Sequence, residues 1–507
     1  MEFEPVIGLE VHVQLRTRSK MFCGCAADSH TSEPNSRVCP VCLALPGSLP
    51  VINRRAVEFA IMTGLALNCR IARTTKFDRK NYPYPDLMKG YQISQYDMPI
   101  CENGWLDLLP DAPDQAPCRI RILRVHMEED VAKLMHVGGP QGHALMDVNR
   151  SGVPLMEIVS EPDIESPAQA EAYITQLQST IRYLGVSTAN MEEGSFRCDA
   201  NISLRPKGTT TLGTKVEVKN MNRVRAVGRA LEYEVARQAD VLRKGGRIEQ
   251  ETRGWVDDRE VTVSQRSKEQ AHDYRYFPEP DLPPLEIDPA WVEEIRARLP
   301  ELAPARKQRI TSEYGLSDYD ASLLTAVRDT ADYFEAVVAA RPAGADPKSF
   351  AKETANWING EFSRLMNAGE PRRSEAPGAD SPVALAVAPT ASVRPADLAS
   401  LVAMFQERSI SNAAAKQVLA AMFETGRNPA TIVEEMGLRK VSDAGSLEPA
   451  VEQAIASNPA AVDDYMKGKE AAIRFLVGQV MRASRGRADP VKAAELILEK
   501  LGALKKR

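Results

Sequence analysis

The residues with most chemistry to offer lie in Arg119–Asp130, RIRILRVHMEED. Its apolar residues fall at Ile120 and Ile122, then at Leu123, Val125 and Met127, with polar residues between, which is the two-residue period of a strand. The slip of phase at Ile122–Leu123 predicts a bulge. Beyond it Arg124, His126, Glu128 and Asp130 share one face, with Glu129 just off it. Three acids, an imidazole and a guanidinium crowded at one strand end repel unless a cation or a charged substrate compensates. Taken alone, a solvated strand edge explains them as well.

The pattern recurs, and the recurrence decides between the two. VIGLEVHVQL directs Ile7, Leu9, Val11 and Val13 to one face and Glu10, His12 and Gln14 to the other. RCDANISLR does the same with Ala200, Ile202 and Leu204 against Asp199, Asn201, Ser203 and Arg205, and TKVEVK with Val216 and Val218 against Lys215, Glu217 and Lys219. Four strands that each carry mixed-sign ligand residues on one face predict a sheet whose polar face is a site. A Glu-x-His and repeated acids suit a hard cation such as magnesium together with a phosphate-bearing substrate.

Four of the eight cysteines form Cys23-Gly-Cys25 and Cys39-Pro-Val-Cys42. Two short pairs across a loop have the spacing of a tetrahedral zinc site, with two disulfides as the alternative. Four thiolates leave no open position, so such a zinc is structural. Cys69, Cys101, Cys118 and Cys198 are scattered and read as core thiols.

The elements that must position these residues follow from the rest of the chain. With 507 residues, roughly two to four domains are expected. No apolar run reaches membrane-spanning length, and MEFEPVIG enters a strand directly with no signal-peptide pattern, so a cytoplasmic protein is expected. Net charge is −5, which argues against a wholesale nucleic-acid coat, yet Tyr465–Arg507 carries eleven Lys/Arg against four Asp/Glu, a local +7.

The periodicity predicts an α+β chain in three parts: a mixed, strand-rich domain over 1–290, then two all-helical domains over 291–370 and 395–507, joined by an Ala/Pro-rich linker at 371–394. Within the first part, helices are predicted over Arg54–Leu67, from a Ser166 cap to about Leu184, and over Val224–Lys244. Asn149–Ile164 reads as a turn and a buried strand carrying Glu157, and Gln250–Thr262 as one further strand. KFDRKNYPYPDLMKGYQISQYDMPI, with four tyrosines and Lys76, Arg79, Lys80 and Lys89, is either a proline-pinned loop or an aromatic and basic wall for a nucleotide or a tRNA end. In the second part Trp291–Leu299, Pro304–Tyr314, Tyr319–Ala340 and Ser349–Met366 read as helices. The chain has no Gly-rich phosphate loop of the P-loop type, no dinucleotide fingerprint and no Gly-x-Ser-x-Gly elbow.

VIGLEVHVQL, PNSRVCPVCLALPGSLPVIN, FDRKNYPYPD, HMEED, NRSGVPLMEIVSEPDI, MEEGSFRCDANISLRP, GTKVEVKNMN, DYRYFPEPDLPPL and the tail YMKGKEAAIRFLVGQVMRASRG together resemble the B subunit of the aspartyl/glutamyl-tRNA(Asn/Gln) amidotransferases, the GatB family. The resemblance implies that ATP and magnesium phosphorylate the side-chain carboxylate of misacylated Glu-tRNA(Gln) or Asp-tRNA(Asn). Ammonia, tunnelled from the amidase (A) partner, then displaces phosphate, and a small C partner completes a heterotrimer. It implies magnesium-site residues at Glu10, His12 and Glu128, with Glu157 and Asp199 as neighbours, and a tRNA-holding tail similar to YqeY-like modules. Arg79, Lys80 and Lys219 are the candidate cations for ATP phosphates. The rival is a non-catalytic, zinc-containing tRNA-binding scaffold, for which Glu10, Glu128, Asp130 and Asp199 on one surface would serve no purpose.

Overall fold

Alternation from Leu9 to Gln14 gives β1, Phe3–Gln14, one apolar and one polar face at its C-terminal half, and the fold is built around this strand. The computed structural model describes residues 2–28, 32–108, 118–137, 142–267, 274–369, 393–440, 444–467, 469–484 and 488–505; the expected linker lies outside these apart from Val393 and Arg394. The chain divides into two units, Met1–Leu302 and Ala303–Arg507.

In the first unit β1 is followed by α1 (Arg54–Ala66), β2 (Arg70–Ile71), β3 (Thr74–Thr75), β4 (Asp78–Asn81), β5 (Tyr91–Ser94), β6 (Cys101–Leu108) and β7 (Cys118–Glu129). A hairpin of β8 (Lys133–Val137) and β9 (His143–Asp147) leads to β10 (Pro154–Ser160) and α2 (Pro167–Leu184). Then come β11 (Phe196–Pro206), β12 (Val216–Met221), α3 (Val224–Arg243), β13 (Glu251–Val256), β14 (Val261–Ser267), β15 (Phe277–Pro278), β16 (Leu285–Glu286) and α4 (Pro289–Ala297). Twelve strands form one sheet along β14-β13-β12-β11-β1-β10-β7-β5-β4-β15, with β6 and β2 branching from β7. All neighbours along this path pair antiparallel except β12 and β13.

The apolar face is covered by α1, α2 and α3. Val11 and Ile202 from the sheet, Tyr173 and Ile181 from α2, and Val227 and Leu231 from α3 are fully buried in one core. Each such side chain contributes about 2 kcal/mol by leaving water. The helices start where the sequence predicts: Asn53 caps α1, and Ser166 accepts from the amide of Gln169 with Pro167 at the first helical position. The predicted bulge is present, because β7 and β10 pair Val159 with Arg124 and then Ser160 with Ile122, leaving Leu123 unpaired. The expected single strand over Gln250–Thr262 is instead a hairpin. Asp257–Arg259 form a turn and Glu260 takes a positive φ of 49°, so Val261 starts a return strand.

The first unit runs past the expected boundary near 290. Ile295 of α4 is buried in the sheet-domain core, and Arg298 pairs with Glu58 of α1 at 2.6 Å.

The second unit is helical, which makes the protein α+β: α5 (Ala303–Tyr314), α6 (Asp318–Thr325), α7 (Arg328–Ala339), α8 (Pro347–Trp357), α9 (Ser363–Gly369), α10 (Pro395–Gln406), α11 (Asn412–Thr425), α12 (Pro429–Glu435), α13 (Ala444–Ala456), α14 (Pro459–Met466), α15 (Ala471–Ala483) and α16 (Pro490–Lys505). The helix expected over Tyr319–Ala340 is two. Thr325 and Val327 are β-branched and weak helix formers, Val327 is extended, and Asp329 suits a new N-terminus. One core joins α5–α8 to α10–α12, with Phe334 and Phe350 packed among Leu401, Val418 and Leu419. A second core, around Leu447, Val451, Leu476 and Ile497, holds α13, α15 and α16. Among the described residues, no helix is long and apolar enough to cross a membrane.

Candidate active site

Antiparallel register lays the polar face out in rows. Across β11, β1, β10 and β7 one row reads Arg197, His12, Glu157, His126. The next reads Asp199, Glu10, Val159, Arg124. Directly paired side chains leave the sheet on the same side, so each row brings its polar groups within reach of one another.

The first row closes into a cluster with Glu128, which comes from the row on its other side, Gln14, Leu155 and Glu128. His12, Glu128 and Glu157 present ligand atoms that all lie within 4.8 Å of one another. His12 Nε2 is 3.4 Å from Glu128 and 3.8 Å from Glu157. His126 backs the cluster, with its Nε2 3.0 Å from Glu157 Oε2. Burial would raise the Glu157 carboxyl, but the His126 charge and hydrogen bond, then His12 and Lys80, hold it well below the usual carboxylate range. Two carboxylates and one imidazole make a sparse shell that suits a hard divalent cation keeping several waters. Lys80 faces the cluster from β4. Burial would lower its ammonium, yet Glu128, the phenols of Tyr276 and Tyr82, and Glu157 push it above the ordinary lysine range.

The other candidate residues are placed differently. Glu10 lies one row on, where its carboxylate accepts from the Asn201 amide at 2.9 Å. Asp199 accepts from Lys219 at 3.0 Å, and Lys219 also reaches Glu217 at 3.2 Å. Arg79 is not brought to the cluster. It adjoins Lys80 on a strand, so it points to the opposite side, where it makes a two-pronged ion pair with buried Glu279 and lies over the Tyr91 ring. Glu129 likewise turns away to Lys89 and to the amide of Ile93.

Two features are not evident from sequence alone. Glu157 sits in a strand buried on both sides, so its apolar neighbours hide its part in the polar row. The segment after residue 273 supplies Tyr274 and Tyr276: Tyr276 stacks on Tyr96 with ring centroids 4.1 Å apart, and Lys80 lies 5.0 Å from the Tyr274 ring. The aromatic and basic wall thus comes from two distant segments. The alternation of DYRYF is the available signal.

The four cysteines of the knuckle converge as well. Cys23, Cys25, Cys39 and Cys42 place their sulfurs within 4.8 Å of one another, and the Cys39 amide donates to the Cys42 sulfur at 3.1 Å. The hydrogen bond from the Cys23 thiol pulls Cys42 down to about 4 against its burial, whereas burial pushes Cys25 up to about 11. Sulfurs this close, with amide N–H groups turned to them, fit a tetrahedral soft-metal site.

A family model described as the GatB/GatE catalytic domain matches residues 5–293, and one described as the GatB domain matches residues 332–501. The B subunit of the aspartyl/glutamyl-tRNA(Asn/Gln) amidotransferase of Dehalococcoides mccartyi (strain CBDB1) is 55% identical over 503 residues, covering 99% of each chain. The proteins of the same name from Moorella thermoacetica and Thermomicrobium roseum are each 53% identical, over 99% of this chain and 100% and 99% of theirs. The chain belongs to the GatB family.

It is therefore an amidotransferase B subunit, the component of an enzyme complex. The first match lies within the first unit and contains both the polar face and the knuckle. The second takes in the second helical core and, of the first, the part from α7 onward.

Proposed function

We propose that this chain uses ATP to phosphorylate the side-chain carboxylate of misacylated Glu-tRNA(Gln), Asp-tRNA(Asn) or both, and that ammonia then displaces phosphate to leave the amide. One observation carries the reading: two carboxylates and an imidazole meet within 4.8 Å of one another. Lys80 is held charged beside them. A surface that only held polyanionic RNA would gain nothing from a buried acidic cluster.

Phosphoryl transfer asks for positioning and charge neutralisation more than for covalent chemistry. His12, Glu128 and Glu157 are the residues that would hold magnesium, with Glu10 next along the strand. Bound there, magnesium supplies charge neutralisation at the ATP phosphates. Lys80 contributes a fixed positive charge. The acceptor carboxylate is already ionised, so no strong base is needed. Asp199 and Lys219, one row away, would orient the substrate, and Tyr82, Tyr274 and Tyr276 offer faces on which a base can stack. In the second step ammonia attacks the acyl carbon and phosphate leaves with the bonding pair. Water must be kept out, which suits a closed path from the amidase (A) partner in a heterotrimer completed by the small C partner, working in the cytoplasm. The knuckle thiolates would hold one structural zinc.

The test is ADP release by the purified three-subunit complex. ADP formed only with misacylated tRNA, with amide formed from ammonium, supports the reading. Amidation without tRNA-dependent ADP formation by this chain leaves it as a scaffold.

A further inference from the structure

Arg197 sits opposite His12 in the strand register, in the row that carries the acidic cluster. Its guanidinium Nη2 lies 3.1 Å from Asp130 at the end of β7. Two strands, β1 and β10, separate β11 from β7, so this pair spans the polar face of the sheet beside the cluster. The contact is one-pronged. Arg197 Nε is buried with no hydrogen-bond partner among the described residues. A buried N–H left unpaired costs free energy unless something occupies it part of the time.

Asp130 does not depend on Arg197 alone. Arg150 Nε lies 3.7 Å from its other oxygen, and the same guanidinium is anchored on the carbonyls of Val131 and Ala132 at 2.9 and 3.0 Å. The Asp130 carboxylate also accepts from the Val131 amide at 2.9 Å. Arg197 can therefore leave Asp130 without stranding a buried charge. The other candidate cations differ. Arg79 is closed against Glu279 by two hydrogen bonds, and Lys219 is shared by two acids. Lys80 approaches from β4 on one flank of the cluster and Arg197 from β11 on the other. A phosphate chain laid over His12, Glu128 and Glu157 would meet a cation on each side.

We propose that Arg197 is a catalytic residue of the phosphoryl transfer: it exchanges Asp130 for the oxygens of the transferred phosphoryl group and stabilises the charge that develops there. The nearby Arg150 charge and the Val131 amide keep Asp130 compensated meanwhile. A planar guanidinium with a free Nε–H and Nη–H can take two phosphate oxygens at once, which an ammonium cannot. This rests on the phosphorylation reading above.

The experiment uses the complete three-subunit complex carrying Arg197→Met, Arg197→Lys or Asp130→Asn. ADP release dependent on misacylated tRNA is followed against ATP concentration, and Mn2+ binding and thermal melting are followed without tRNA. For Arg197→Met we expect kcat to fall about a hundredfold or more, KM for ATP to move less than about threefold, and Mn2+ affinity to stay within about twofold. Arg197→Lys keeps the charge but not the fork, and is expected to remain at least about tenfold slow. Asp130→Asn should cost less than about tenfold, because it loosens the resting partner and not the acting group. Wild-type kcat in Arg197→Met overturns the proposal. So does a fall in kcat matched by an equal fall in Mn2+ affinity, which would make Arg197 a support of the metal cluster. If Arg197→Met melts early, Arg197→Lys decides the proposal by the same two outcomes. A wild-type complex that forms no tRNA-dependent ADP overturns the phosphorylation reading itself, and this proposal with it.

Discussion

His126 braces Glu157. The two residues are paired in register on adjacent antiparallel strands, and the imidazole Nε2 lies 3.0 Å from the carboxylate. His12 flanks the same carboxylate from the strand on the other side. A ligand carboxylate fixed by a buried hydrogen bond loses less freedom when it binds a cation, and removing such a partner typically costs 10–100-fold in affinity. His126→Ala in the complex is therefore expected to weaken Mn2+ binding by roughly that factor, and His126→Gln, which keeps a donor, by less. Titration by electron paramagnetic resonance measures it. Unchanged affinity in His126→Ala would remove His126 from the site.

Glu128 stands at the junction of the cluster, next to His12 and paired across from Ser94 of β5. Glu128→Ala is expected to slow ammonium-driven amidation of Glu-tRNA(Gln) about a hundredfold or more, since one charge-neutralising ligand supplies several kcal/mol to the transition state. Binding of tRNA and glutamine hydrolysis by the amidase partner should be spared. Near wild-type amidation would place the chemistry elsewhere.

Much of this site is legible from alternation alone, because a strand with one buried face must write its partition of polar and apolar residues into every second position. Glu10, His12, Glu128 and Asp199 are readable in that way, and so is the bulge at Leu123. What alternation does not record is which strands lie side by side. The order β11-β1-β10-β7 sets Glu157 between two histidines and Arg197 beside His12, and both are long-range facts. Arg79 misleads for a related reason: clustering with Lys80 in sequence puts the two on opposite faces of β4, and Glu279, two hundred residues away, claims it.

The knuckle yields a prediction independent of catalysis. The complex, purified without chelators, is expected to contain one zinc per copy of this chain, and Cys39→Ser to lose it with a lower Tm. Turnover by the folded fraction should change little, because four thiolates leave no open coordination position. Absence of stoichiometric zinc by elemental analysis would count against the site.

One buried acid outside the site contributes to acid stability. Glu234 of α3 is fully buried and accepts hydrogen bonds from Arg237, Gln238 and Thr262, with Arg253 at 3.1 Å. Burial would raise its carboxyl, but the bonds from Arg237, Thr262 and Gln238 bring it below the ordinary value. A depressed folded-state pKa adds stability that is present above the unfolded value of about 4.3 and is lost as pH falls through the folded one. Glu234→Gln is expected to destabilise the first unit by about 3 kcal/mol at neutral pH, because two arginines lose their counter-charge. It should also flatten the loss of stability below about pH 4. Denaturant melts at several pH values measure both, and parallel acid limbs in the two proteins would contradict the assignment.

The last prediction concerns where the tail can be cut. Composition puts a boundary near 395, but α10–α12 share a core with α5–α8, where Leu398, Leu401 and Leu419 pack with Phe334 and Phe350. Removing everything after residue 394 would strip one side of that core, at about 2 kcal/mol or more for each large side chain left facing water. The second core begins at Leu447, so a chain ending at Lys440 leaves the first core whole. It also removes the segment from Tyr465 to Arg507 with its charge of +7. The complex with the chain ended at Lys440 is expected to keep the Tm of its remaining core and its Mn2+ binding, to bind tRNA more weakly, and to lose affinity less steeply as salt rises, because fewer phosphates are neutralised. Filter binding at matched ionic strengths measures both affinity and slope. Equal affinity and slope for the full and shortened chains would show that the basic tail does not touch the tRNA.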